Sequence, residues 1–236
     1  MGELFRPQLW APFLDAGIWR FLLTGLQTTL SMAAIAIAGS LVLGLFIAIC
    51  RLSPFLVLRL PAIVFIALIR AVPVLLIVFF TFFGAARAGL GLDPFGAGTL
   101  ALTVYTAAVN AEIMRAGITS IDRGQLEAAR SLGLSYGQMM RYVVLPQALR
   151  RMVPPQVSQL ITLTKDTSLT AVIGVGELTR RGQIIYQGET NPLQTLFVVA
   201  CIYFAVNYGL SRFSRRWELA TGGAMGGRAA PGAPPA

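Results

Sequence analysis

Residues 21–50 form a run of thirty without a single charged side chain, and this run restricts the chain more than any other feature. As a helix it would extend about 45 Å at about 1.5 Å per residue, more than the roughly 30 Å hydrocarbon core of a bilayer. It therefore reads as a membrane-spanning helix. A cleaved signal peptide would need a basic start, a shorter apolar region and a small-residue cleavage site, so the run is expected to be retained.

Four further apolar runs follow, at residues 61–84, 98–118, 155–174 and 192–211. The expectation is an all-α polytopic membrane protein of five transmembrane helices. Composition agrees: 56% of the 236 residues are hydrophobic and 12% charged, with a mean hydropathy of +0.70, far from the balance of a soluble domain. There is no histidine, and the two cysteines, Cys50 and Cys201, each sit within an apolar run. Histidine-based triads, the usual zinc sites and a disulfide framework are excluded on those grounds.

The net charge of +9 could suggest nucleic acid, but its distribution follows the spans. With five crossings and the N-terminus outside, twelve loop arginines fall on the inner side and five on the outer. The positive-inside rule thus predicts residues 1–20 as an extracytoplasmic segment, 21–218 as the transmembrane domain and the C-terminus as cytoplasmic. No nucleic-acid role is needed. Residues 219–236, rich in glycine, alanine and proline, read as a disordered tail. No internal repeat of useful length is visible. Within the first span Ala36, Ser40, Gly44 and Ala48 recur every four residues, a small-residue ridge that invites close approach of another helix.

Residues 119–151 form the one long amphipathic insert, predicted to lie in the cytoplasm. Asp122 with Gln125, and Ser135 with Gln138, have the spacing of helix caps. Two short helices are expected, turning at Gly133, with Pro146 ending the second and Pro154 and Pro155 opening the fourth span. By composition alone this could be an interfacial helix on the bilayer.

Inside the membrane, Lys165 and Asp166 lie about 15 Å beyond Pro155, near mid-membrane, where a charge costs roughly 2.5–3.5 kcal/mol and is expected to face a polar interior. Ser158, Thr162, Asp166 and Thr170 make a polar stripe on the fourth span, and Thr99, Thr103, Thr106 and Asn110 another on the third. Two such stripes suggest a pathway between them. Asp166 would bind a substrate ammonium with Thr162, Thr170 and Asn110 as neighbours, or pair with a basic group of the bundle. Arg70, three residues before the helix-breaking Pro73, could attract a carboxylate or serve a structural ion pair. Glu112 stands three residues before Arg115, a spacing that favours an intrahelical pair over a substrate role.

The insert carries a more specific pattern. Glu127, Ala128 and Ala129, then Gly133, and after nine residues Val143 with Leu145 and Pro146, resemble the EAA loop of importer-type ABC transporter permeases. Arg70 to Pro73 is similar to that family's Arg-Gly-Thr-Pro element, departing from it at Ala71 and Val72. Residues 111–118 and the KDTSL of 165–169, which adds Leu169 to the candidate substrate contacts, extend the resemblance, and it points to the polar amino acid permeases of glutamate, aspartate or glutamine type.

The resemblance implies a type I importer fold in a bacterial inner membrane and an insert that acts as a coupling helix. It also implies these partners: a second permease subunit, identical or homologous, two ATP-binding subunits, an extracytoplasmic solute-binding protein, membrane lipid and an amino acid substrate. The chain has no glycine pattern of a phosphate loop, so it needs no cofactor of its own, and ATP and magnesium belong to the partner. It is not expected to be an enzyme. The competing class is an ion channel or ion-coupled secondary transporter, which would need no ATPase.

Overall fold

The computed structural model describes residues 7–189 and 192–220, and among these every regular element is helical. The first long helix, α1 (Ala16–Leu52), starts five residues before the uncharged run, because the Asp15 carboxylate accepts a hydrogen bond from the Gly17 amide at 2.9 Å and caps the first turn. Before it lies a 3-10 helix (Pro7–Leu14). Its Phe13 is buried in one apolar cluster with Leu22, Leu178, Ile185, Val198 and Val199. The Trp19 indole donates to the Phe13 carbonyl at 2.8 Å, which ties the 3-10 helix to α1.

The second span is not a straight crossing. It is a pair, α2 (Leu56–Ala71) and α3 (Val74–Arg87), bent by 106° at Val72 and Pro73. Pro73 has no N–H to give to the turn before it and disfavours helical geometry at Val72, which is extended at φ −96° and ψ 135°. Next comes α4 (Pro94–Thr119), capped by Asp93 and packed most extensively on α1. The ridge read from the sequence explains that contact: Ala36, Ser40, Gly44 and Ala48 are all buried. In a membrane, small residues of this kind replace the hydrophobic effect as the means of holding helices together.

A short helical pair, α5 (Arg123–Ser131) and α6 (Tyr136–Met139), leads into a π-helical turn, Met140–Val144, and then into α7 (Leu145–Asp166). Here the expectation needs correction. Pro146 does not end a helix; it sits in the first turn of α7, and Pro154 and Pro155 lie within that helix rather than at its start. The helix that carries the expected fourth span thus begins ten residues before Pro155. After Asp166 the chain tightens into a 3-10 helix (Thr167–Ile173), which Gly174 ends at φ 92°. An unexpected helix, α8 (Leu178–Glu189), precedes the last, α9 (Pro192–Ala220). Residues 219 and 220 are helical, and the rest of the expected tail lies outside the described residues.

By length and apolarity two described helices qualify as crossings, Ala16–Leu52 and Pro192–Arg212, and three if the bent pair counts as one. The 26 residues of α4 and 22 of α7 are long enough, about 39 and 33 Å, but are too polar for that criterion. On α4 the polar groups Thr99, Thr106 and Asn110 are buried, whereas on α7 only Thr164 is, and Ser158, Thr162 and Lys165 are exposed. Of the two, α4 is the more buried.

Candidate functional site

Two groups of residues carry the functional expectations, one at each end of α7. At its start lies the knob. Asp122 caps α5 by accepting from the Gly124 amide at 2.7 Å, and Ser135 and Gln138 form a reciprocal capping box on α6. Between them Gly133 adopts φ 75°, a left-handed conformation that a side chain disfavours. Ile121, Ala129, Met139, Val144, Ala148 and Met152 close a small core beneath these helices.

Glu127 and Ala128 face solvent, as do Gly133, Leu145 and Pro146, beside exposed Leu132, Tyr136 and Tyr142. Ala129 does not join them. It is buried in the core of the knob, so its contribution to any docking is through packing. The knob is fixed to the bundle twice: the Arg151 guanidinium donates to the carbonyl and hydroxyl oxygens of Ser120 just beyond α4, and Gly117 lies directly against Met152.

At the other end of α7, Asp166 is half-buried at the junction with the 3-10 helix and makes no ion pair among the described residues. Thr162 is exposed on the same face, its hydroxyl bonded to the Ser158 carbonyl at 3.1 Å. Thr170 leaves the stripe. At three residues per turn it lies roughly 120° from Asp166 rather than the 40° of an α-helix. Its hydroxyl instead donates to the Thr167 carbonyl at 2.7 Å and approaches Met32 Sδ at 3.7 Å, wholly buried. Leu169 is half-buried beside it.

On α4, Asn110 and Thr103 of the stripe lie against α1. Asn110 is fully buried, and its amide donates to the Ser40 hydroxyl of α1 at 3.0 Å. Thr103 sits against Gly39 of the same helix. Neither Asn110 nor Thr170 shares the solvent-facing side of Thr162.

Glu112 forms the expected pair with Arg115, at 2.5 Å, and also meets Arg51 from the end of α1 at 3.3 Å. Arg70, exposed in the last turn of α2, has no ion-pair partner among the described residues. The single lysine, Lys165, points away from the Asp166 face into a cleft of about 470 Å³ with Ser168, Thr179, Tyr203, Phe204 and Asn207.

Sequence reasoning missed Glu177. Fully buried, it caps α8 by accepting from the Thr179 and Arg180 amides at 2.8 and 2.6 Å, and it takes a hydrogen bond from the Tyr203 hydroxyl at 3.0 Å. Nearby Arg181 donates to the Phe21 carbonyl and lies over that ring, which ties α8 to α1. The available signal was an isolated acid after two glycines and before a polar stretch, too short a pattern to distinguish a cap from a loop.

The chain matches a family model described as "Binding-protein-dependent transport system inner membrane component" over residues 40–218. It is 46% identical over 202 residues, 84% of this chain and 93% of its relative, to a Bacillus subtilis (strain 168) protein named "Probable glutamine ABC transporter permease protein GlnP". To the "Glutamine transport system permease protein GlnP" of Escherichia coli (strain K12) it is 41% identical over 199 residues, covering 84% of this chain and 91% of that one. Among solved structures, a chain from "Crystal structure of an amino acid ABC transporter with histidines" superposes with a TM-score of 0.82 at 33% identity, over 85% of this chain and 94% of its own. A MetNI methionine ABC transporter chain shares the fold, with a TM-score of 0.65 over 86% of this chain and 98% of its own.

Proposed function

The chain belongs to the binding-protein-dependent transport system inner membrane components, and on that premise we propose that it is the permease of an importer for polar amino acids of the glutamine class. As a member of the family it is a membrane-spanning transport subunit and is not itself catalytic. Two separate ATP-binding subunits would hydrolyse ATP with magnesium, a second permease chain would complete the pathway, and a solute-binding protein would deliver substrate from outside. The N-terminus lies outside and the knob in the cytoplasm, in keeping with the arginine distribution.

The observation that carries this reading is continuity. From Tyr136 to Asp166 the chain is helical without a loop, so the exposed face of the knob and the half-buried carboxylate are two ends of one stiff element. Closure of two ATP-binding subunits would displace Glu127, Ala128 and Gly133. That motion enters α7 directly and α4 through the Arg151 contact with Ser120. Helices packed in discrete arrangements respond by switching which side is open.

At the far end Asp166 would hold the substrate ammonium, with Thr162 beside it and Leu169 next to the exposed rim. Arg70, at the break between α2 and α3, would supply a positive charge for a carboxylate, and it also acts on Glu112. Glu112 belongs to the inner ion-pair cluster, Asn110 and Thr170 to helix packing, so their part in binding is to hold α4 and α7 in place.

The test is reconstitution. With an ATP-binding subunit and a glutamine-binding protein in proteoliposomes, the permease should give ATP-dependent uptake of radiolabelled L-glutamine. Glu127→Lys and Gly133→Arg should lose the ATP-binding subunit on copurification. Uptake without that subunit, driven by an ion gradient, would overturn the proposal.

A further inference from the structure

The π-helical turn explains how the knob is aimed. Met139, Val144, Ala148 and Met152 are the buried residues at the knob end of this continuous helix, with exposures of 4%, 2%, 0% and 7%. Their spacing is five, four and four. Residues five apart on an α-helix point about 140° away from each other, so Met139 and Val144 can enter one core only because an extra residue is accommodated between them. The Leu145 amide bonds to the Met140 carbonyl, five residues back, and the dihedral angles at Met139, Met140 and Leu145 stay helical, so the helix changes register without breaking.

Proline at 146 supplies the cause. It has no N–H for the Tyr142 carbonyl, and its ring would strike that carbonyl in an unbroken α-helix. The Gln147 side chain caps the next carbonyl, Val143, at 2.9 Å. We propose that Pro146 is a positioning residue: by imposing the π turn it sets the rotation of α6 relative to α7, and with it the face that the knob presents to the ATP-binding subunit. In plain α register Met140 would take the place of Met139 in the core. Tyr136 and the rest of α6 would turn by about 100° and slide by about 1.5 Å. This inference rests on the proposed coupling role, but the turn itself can be tested without it.

The experiment compares Pro146→Ala with the same position carrying lactic acid, an ester that has the alanine side chain but no N–H. Spin labels are placed at Tyr136→Cys and Thr119→Cys in a chain with Cys50→Ser and Cys201→Ser, within the complex with its ATP-binding subunit. The alanine variant should shift the distance between labels by several ångströms, in the complex and in the permease alone, and lose glutamine uptake. The lactic acid variant should keep the parent distance and its uptake. An unshifted distance in Pro146→Ala, a shifted distance with uptake intact, or identical behaviour of the two variants would overturn the proposal. If Pro146→Ala does not insert, deletion of Tyr142, which removes the same extra residue, takes its place with the same two outcomes. Failure of the parent complex to bind the ATP-binding subunit would count against the functional reading, and the label distances in the permease alone would still decide the origin of the turn.

Discussion

Gly44 of α1 and Asn110 of α4 touch with no space for a methyl group. A Cβ on Gly44 would stand 3.0 Å from the Asn110 Cβ and 3.0 Å from the Ala107 carbonyl oxygen, and the latter is backbone that cannot step aside. This crossing is the most extensive helix contact in the bundle. Gly44→Val should therefore force α1 and α4 apart, at a cost of about 1–3 kcal/mol. Thermal unfolding of the detergent-purified permease should show a clear drop in Tm, whereas the same change at Gly84, where nothing lies within 4 Å, should leave Tm nearly unchanged.

Glu112 holds two arginines from different helices, Arg115 beside it and Arg51 at the end of α1. Its removal leaves both cations facing each other across the inner end of the bundle. With the groups 21–31% exposed, Glu112→Gln should cost about 1–2 kcal/mol, below the value for a fully buried pair. A double-mutant cycle with Arg51→Gln, read by thermal unfolding, should return a favourable coupling energy. Strict additivity would mean that the contact between α1 and α4 contributes nothing there.

The sequence made α1 legible because a four-residue repeat of small side chains has one physical use, close packing. The stripe on α4 was equally regular, but periodicity shows that a face is polar, not what it faces, and Asn110 meets Ser40 of α1. Thr170 was misplaced for a different reason, since nothing in the TSLT run signals the change to three residues per turn. The prolines misled as well. Pro154 and Pro155 suggested a helix start, yet neighbouring side chains and helices let a membrane helix run through such residues. The two short helices of the knob were legible because their caps and the turning glycine are local features.

Gly133 makes the knob possible through its φ of 75°, between an α5 that ends at Ser131 and the capping box of α6. Any residue with a Cβ would bear a strain of roughly 1–2 kcal/mol there. Nothing lies within 4 Å of the added methyl, so the penalty in Gly133→Ala is one of backbone conformation alone. The expected outcome is normal membrane insertion and reduced recovery of the ATP-binding subunit. Gly133→Asn, which tolerates the left-handed region, should recover more of it than alanine despite its larger size.

Asp166 offers the most direct test of the transport site. The carboxylate is half-buried at the point where α7 tightens, on the same face as exposed Thr162, and makes no ion pair among the described residues. A charge left unpaired in a membrane interior is costly to keep, which argues for a use rather than a packing role. Asp166→Asn preserves size and most hydrogen bonding while removing the charge that would hold an ammonium group. Assembly with the ATP-binding subunit should persist and ATP hydrolysis should continue, but glutamine uptake in proteoliposomes should fall to background. Asp166→Glu, which keeps the charge on a longer arm, should restore a measurable fraction. Wild-type uptake by the asparagine variant would remove Asp166 from the site and shift the search to Arg70 at the break between α2 and α3.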